Sequence, residues 1–429
     1  MPRSQKPVPA RCQPIGRGET VGAMRSAKGA STNAAVRDGD DTDLDSLLPF
    51  ATEVGQGVAF DGGFAAGALR QDGGTTRFVV VTTNRYASAW RTIDLGQSHG
   101  DADAPRVFAR GSKLGVGILE PSGATRTLRI GRVDRDSVQW GAEIQQGHDE
   151  SLAFDIALGA VRGVAVWDDV PKKQKSSAIF LATVDPNSFD KPSKPVSVSP
   201  PTTDAEIPRV IERPGGFWMF WLARMPNARG SDGDSENRFQ AEGIDHRWLE
   251  AVPLDEAGNL MGSPVQLGPK NGHVLGYDIA MLGDGSAVVV WRDDDTPSGS
   301  AGGQLYRVRL ALGGVDAPEL ISDETSMMAT PRVMPGWLAV ADASGSTRLA
   351  PMGADGVLTD TLARETLLGA GEPIASIADD LLITRPDGTA AFLFVVRCGR
   401  AVLDSVDGGS ADAVELDGDF AGELDGGGL

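Results

Sequence analysis

Short apolar runs recur along the middle of this chain, each closed by polar or glycine-containing turns. Three of them align by eye: Val161-Arg-Gly-Val-Ala-Val-Trp-Asp-Asp169, Gly216-Phe-Trp-Met-Phe-Trp-Leu-Ala-Arg224 and Ser286-Ala-Val-Val-Val-Trp-Arg-Asp-Asp294. Each reads as a buried strand ending in tryptophan and followed by polar residues. Weaker copies at Phe64–Leu69, Leu114–Leu119, Gly336–Ala341 and Asp380–Thr384 bring the number to seven. A preceding strand shows as Pro105-Arg-Val-Phe108, Phe154-Asp-Ile-Ala157, Pro208-Arg-Val-Ile211, Tyr277-Asp-Ile-Ala280, Pro331-Arg-Val-Met334 and Pro373-Ile-Ala-Ser376. A third strand follows most copies, as in Ala178–Asp185, Arg247–Asp255 and Gln304–Leu310, and a short fourth piece closes the unit, as at Trp90–Leu95, Pro195–Val198, Pro264–Leu267 and Pro318–Ile321. Asp255-Glu-Ala-Gly258 and Asp355-Gly356 carry hairpin-turn chemistry between third and fourth pieces.

Four short strands per unit of roughly 50 residues, repeated about seven times with no helical pattern between them, predict an all-β fold of radially arranged sheets. The chain resembles β-propeller repeat proteins over nearly the whole of its middle. Six blades are the alternative count. The resemblance stops short of an activity, because Trp167-Asp168 is the one Trp-Asp dipeptide among the aligned copies, which otherwise read Trp221-Leu222 and Trp291-Arg292. The WD40 signature is therefore missing, as is the aspartate box of sialidase-like propellers. The expected organisation is a disordered tail or linker over 1–52, the propeller over 53–404, and a disordered acidic, glycine-rich tail over 405–429. Ring closure is expected from Val54–Phe60 joining the sheet of Leu381–Leu403, and the tryptophans are expected to pack on outer strands.

Composition supports frequent turns, with 55 glycines and 26 prolines in 429 residues. A formal net charge of −19, with lysine and arginine scattered, argues against nucleic acid and anionic lipid as partners. No continuous apolar stretch marks a transmembrane span. The expected location is the cytoplasm if Met1 is the true start, and the envelope or exterior if the N-terminus is truncated; Cys12 ahead of a polar stretch is how an acylated, exported protein reads. The two cysteines, Cys12 and Cys398, are read as a loose thiol and a buried one.

Loops leaving equivalent strands emerge on one face of a propeller. The loops after Trp167, Trp221 and Trp291 therefore define a candidate ligand-binding face, with Asp168, Asp169, Arg224, Arg229, Asp232, Asp234, Arg292, Asp293 and Asp294. Asp232, Asp234 and Glu236 alternate as calcium ligands do, and the Asp38–Asp45 segment is similar, but neither has the closing glutamate. No cofactor is expected, with calcium the one candidate. His99, His148, His246 and His273 lack metal-ligand spacing. Asp155 and Asp278 occupy the same position of two inner strands and are the one carboxylate pair that could serve glycoside chemistry. Arg106, Arg209 and Arg332 are available to pair with them structurally. The expected function is a monomeric, non-enzymatic scaffold binding a protein or glycan through the long-loop face. A glycoside hydrolase or lyase with carboxylates at the axial mouth is the alternative, and an envelope-associated structural protein a third reading.

Overall fold

The computed structural model describes residues 11–22, 52–72, 75–99, 102–122, 125–145, 153–171, 176–226, 246–294, 303–322, 330–341, 347–358, 371–387 and 390–399. Among them there are strands and turns and no helix. Seven antiparallel sheets form the blades of a β-propeller.

Strand β1 (Arg11–Val21) comes first in the chain but belongs to the last blade. Blade 1 holds β2 (Glu53–Val54), β3 (Val58–Phe60), β4 (Gly63–Asp72), β5 (Thr75–Asn84) and β6 (Trp90–Gln97), with β2 and β3 both paired to β4. Blade 2 is β7 (Arg106–Arg110), β8 (Lys113–Ser122), β9 (Thr125–Val133) and β10 (Val138–Gln145). Blade 3 is β11 (Phe154–Leu158), β12 (Gly163–Asp169), β13 (Ala178–Val184) and β14 (Val196–Ser197). Blade 4 is β15 (Asp204–Arg213), β16 (Gly216–Arg224), β17 (Arg247–Leu254) and β18 (Val265–Gln266). Blade 5 is β19 (Val274–Met281), β20 (Ala287–Asp294) and β21 (Gly303–Ala311), with β22 (Gly314–Val315) and β23 (Glu319–Ser322) both on β21. Blade 6 shows β24 (Arg332–Met334), β25 (Trp337–Ala341) and β26 (Thr347–Pro351), and blade 7 has β27 (Glu372–Ile377), β28 (Asp380–Asp387), β29 (Ala390–Gly399) and β1.

The seven apolar runs picked out in the sequence are the second strands β4, β8, β12, β16, β20, β25 and β28. They are continuous rather than alternating because both faces of a blade are covered by its neighbours. In β16, Phe217, Met219, Trp221 and Ala223 pack toward blade 3, while Trp218, Phe220 and Leu222 pack toward blade 5. The three aligned tryptophans are accordingly buried between blades on second strands, correcting their expected outer position: Trp167, Trp221 and Trp291 are each at most 1% exposed. The first strands β3, β7, β11, β15, β19, β24 and β27 touch in that order, and β27 returns to β3, so they close a ring about the axis.

Closure also differs from the expected mode. Val54–Phe60 pairs inside blade 1, and blade 7 is completed by β1, whose Cys12 stands opposite Cys398 of β29. The two cysteines form a disulfide across 386 residues of chain, so neither is a free thiol. The segment Arg11–Val21, assigned to the tail from composition, is thus a structural strand. Residues 405–429 lie outside the described residues.

Candidate functional site

The ring of first strands sets one residue of each blade at a common level. Arg106, Asp155, Arg209, Asp278, Arg332 and Glu372 face Gly117, Val166, Phe220, Val290, Ala339 and Thr384 of their second strands. In blades 3, 4 and 5 that partner immediately precedes the buried Trp167, Trp221 or Trp291, so the positions are equivalent. Read around the axis, blades 2 to 7 therefore carry plus, minus, plus, minus, plus, minus.

The alternation is made of contacts between blades. Arg106 Nε donates to Asp155 Oδ1 at 2.8 Å, and Arg209 Nε donates to Asp155 Oδ2 at 3.1 Å. The backbone N–H of Val210 also donates to Asp155 Oδ2, at 3.0 Å. Arg209 Nη2 lies 2.9 Å from Asp278 Oδ1, near enough for an ion pair although out of line for a hydrogen bond, and Asp278 Oδ2 accepts from Val333 N–H at 2.8 Å. Arg332 Nε donates to Glu372 Oε1 at 2.5 Å. Asp155 and Asp278, the carboxylate pair singled out in the sequence, are thus bound by arginines and amides of adjacent blades. Seven is odd, so a ring of alternating charges must break once; the break falls at blade 1, where Gln56 Oε1 accepts from Arg209 Nη2 at 2.7 Å.

Burial alone would raise the Asp155 carboxyl, but Arg106 and then Arg209 more than offset it, and its pKa lies below the usual 3.8. Burial likewise pulls Arg209 down, yet Asp278 and Asp155 overcome that and its pKa is raised. Arg106 differs: its pKa is lowered, because burial outweighs Asp155 and Arg209 repels it. Tyr277, next to Asp278, is pushed up by burial and donates to the Ile207 carbonyl at 2.6 Å.

A cavity of about 200 Å³ opens at this level, lined by Gln56, Arg106, Asp155, Arg209 and Glu212 among apolar neighbours such as Val107 and Leu158. Asp278, at 0% exposure, is not part of its lining. Glu212 accepts from Arg110 Nε at 2.7 Å.

The residues expected to form the loop face are mostly engaged inside the protein. Asp168, Asp169, Arg292 and Asp294 are buried strand ends. Asp168 Oδ2 accepts from the N–H of Ile207, whose φ of 53° is unusual for a β-branched residue and marks the bulge before Arg209. Asp169 Oδ1 takes Val170 N–H at 2.8 Å, Arg224 Nε binds Asp204 at 2.8 Å, and Arg292 Nε binds Asp294 at 2.8 Å. Asp293 Oδ1 accepts from His273 N–H at 2.7 Å. Arg229, Asp232, Asp234 and Glu236 lie outside the described residues, as do Asp38–Asp45. Among the described residues no group of three or more His, Cys, Asp or Glu side chains could hold a metal ion, and no helix is long and apolar enough to cross a membrane.

No protein-family model and no curated protein matches the chain. Solved structures do. A PL25 polysaccharide lyase, an ulvan lyase, is similar with a TM-score of 0.54 at 12% identity, over 81% of this chain and 95% of that one. The GH93 α-L-arabinofuranosidase of Fusarium graminearum in complex with arabinobiose has a TM-score of 0.47 at 10% identity, over 80% of this chain and 93% of that one. The acylaminoacyl peptidase of Pyrococcus horikoshii has a TM-score of 0.44 at 11% identity, over 78% of this chain and 49% of that one, about half its length. The neighbour with a TM-score above 0.5 is a polysaccharide lyase, which runs against the expectation of a non-enzymatic scaffold and turns the reading to the alternative. At these identities the likeness itself is one of fold.

Proposed function

We propose that this propeller cleaves a polysaccharide at its axial cavity, as a hydrolase or lyase. One observation carries the reading: a cavity of about 200 Å³ in which arginines and carboxylates of several blades meet on the axis. Most of its walls are first strands, so Arg106, Asp155 and Arg209 are held on the sheet framework rather than carried on loops. The fold likeness to a polysaccharide lyase supports the same direction.

The geometry restricts what each residue can do. A hydrolase needs one carboxyl protonated and a second ionised across the scissile bond. Asp155 borders the cavity but is held ionised by Arg106 and Arg209, so it suits a charge-stabilising role and not that of the acid. Asp278 is the buried counter-ion of Arg209. Arg106 and Arg209 are positioned to stabilise negative charge developing on a bound sugar. That distribution favours elimination, where charge grows next to a carbonyl carbon, over acid-catalysed hydrolysis.

The test is incubation of the full chain with a panel of neutral and acidic plant, algal and bacterial polysaccharides. Product mass and the ultraviolet absorbance of an unsaturated sugar end separate the two chemistries. Shortening of at least one polymer is expected, with an unsaturated end. Failure to shorten any of them would defeat the proposal.

A further inference from the structure

We propose that the sugar bound in the axial cavity carries a carboxylate and that Arg106 receives it; this rests on reading the cavity as a glycan site. The charge ring breaks at blade 1. Each arginine of the ring except one lies between two acidic positions: Arg209 between Asp155 and Asp278, Arg332 between Asp278 and Glu372. Arg106 has Asp155 on one side and the Gln56 position of blade 1 on the other. Gln56 brings no charge, and its side-chain oxygen is already taken by Arg209.

Arg106 therefore spends only its Nε on the protein. Its two Nη atoms make no hydrogen bond to any described residue. They are not sealed off without a partner either, since the side chain keeps 20% of its exposure and lines the cavity. A guanidinium with its Nη edge open presents two parallel N–H donors, which is the geometry a carboxylate accepts. Burial already lowers the Arg106 pKa, so an added anion would relieve a desolvated cation. The other acidic group of the lining, Glu212, is bound by Arg110 and does not oppose an incoming negative charge. At blade 1 the ring position is held by the uncharged Gln56, which lines the cavity together with Arg106. A ligand carboxylate at blade 1 would stand beside Arg106, while Glu372 on the other side of blade 1 is already bound by Arg332. The substrate class is then a uronate-containing glycan. Recognition by a single partly exposed guanidinium is local, which fits a chain whose net charge of −19 offers no extended basic surface for a polyanion.

Calorimetric titration of the full chain with digalacturonate and with its uncharged methyl ester tests this. The acid is expected to bind at least about tenfold more tightly than the ester. Arg106→Gln should abolish the preference, bringing acid and ester to the same affinity, and Arg106→Lys, which keeps the charge but loses the fork, should retain part of it. Should Arg106→Gln fail to melt cooperatively, the reduced preference in Arg106→Lys decides. Equal affinity for acid and ester, no binding of either, or a full preference surviving in a folded Arg106 variant would overturn the inference. A preference for the acid without cleavage of any polymer would remove the enzymatic reading and keep the carboxylate receptor. Cleavage of a neutral polymer without the preference would do the reverse.

Discussion

At the scale of residues, the axis is held by charges that depend on one another. Asp155 joins Arg106 and Arg209 across three blades, so Asp155→Asn leaves two buried cations short of a partner. A loss of about 3–5 kcal/mol is expected, measured by urea unfolding. The pH dependence has a definite sign. The folded-state pKa of Asp155 is below the unfolded value of 3.8, so its stabilisation is complete above 3.8 and disappears as pH falls through the lower folded value. The acid limb of the stability curve should therefore flatten in the Asp155→Asn variant; an unchanged limb would assign acid unfolding to other groups. Much of this site was legible. The equivalence of Asp155 and Asp278, and the arginines after proline at 106, 209 and 332, stand in the aligned sequence. Glu372 was hidden because a bulge between Pro373 and Ala375 shifts it into register, and Gln56 because it sits between the short strands β2 and β3.

At the scale of elements, the second strands were readable because burial on both faces leaves an unbroken apolar run. Trp221 illustrates the energetic consequence: it fills the space between blades 3 and 4 with 0% exposure, and Trp221→Ala should cost about 3–5 kcal/mol. Strand β1 was not readable. Its sequence Arg-Cys-Gln-Pro-Ile-Gly-Arg-Gly-Glu-Thr-Val mixes charges, proline and glycine, as an outermost strand with an open edge permits. What fixes it is the long-range pairing with β29 and the Cys12–Cys398 bond, and neither leaves a local pattern. Because that bond closes a loop spanning nearly the whole chain, it restricts the unfolded state strongly. Replacing both cysteines by serine should lower stability by about 2–5 kcal/mol, and reductant should lower the melting temperature of the wild type while leaving the double variant unmoved.

At the scale of the molecule, seven wedge-shaped sheets share seven interfaces, and the ring closes both by contact between first strands and by the disulfide-linked β1. Repeats made this architecture legible, whereas function was not, since a propeller supports many chemistries and the deciding groups are dispersed over blades far apart in sequence. Mixed charges near the ends of second strands looked like a binding face; those among the described residues are engaged in strand-end ion pairs and turn contacts, and the axis gathers arginines and carboxylates of several blades around a cavity. The most direct measurement is the rate of polysaccharide cleavage by the wild type and by Gln56→Trp, which places an indole in the axial cavity. Cleavage by the wild type and a loss of about hundredfold or more in a variant with unchanged melting are expected. Equal rates, or no cleavage by the wild type, would contradict an active axial cavity.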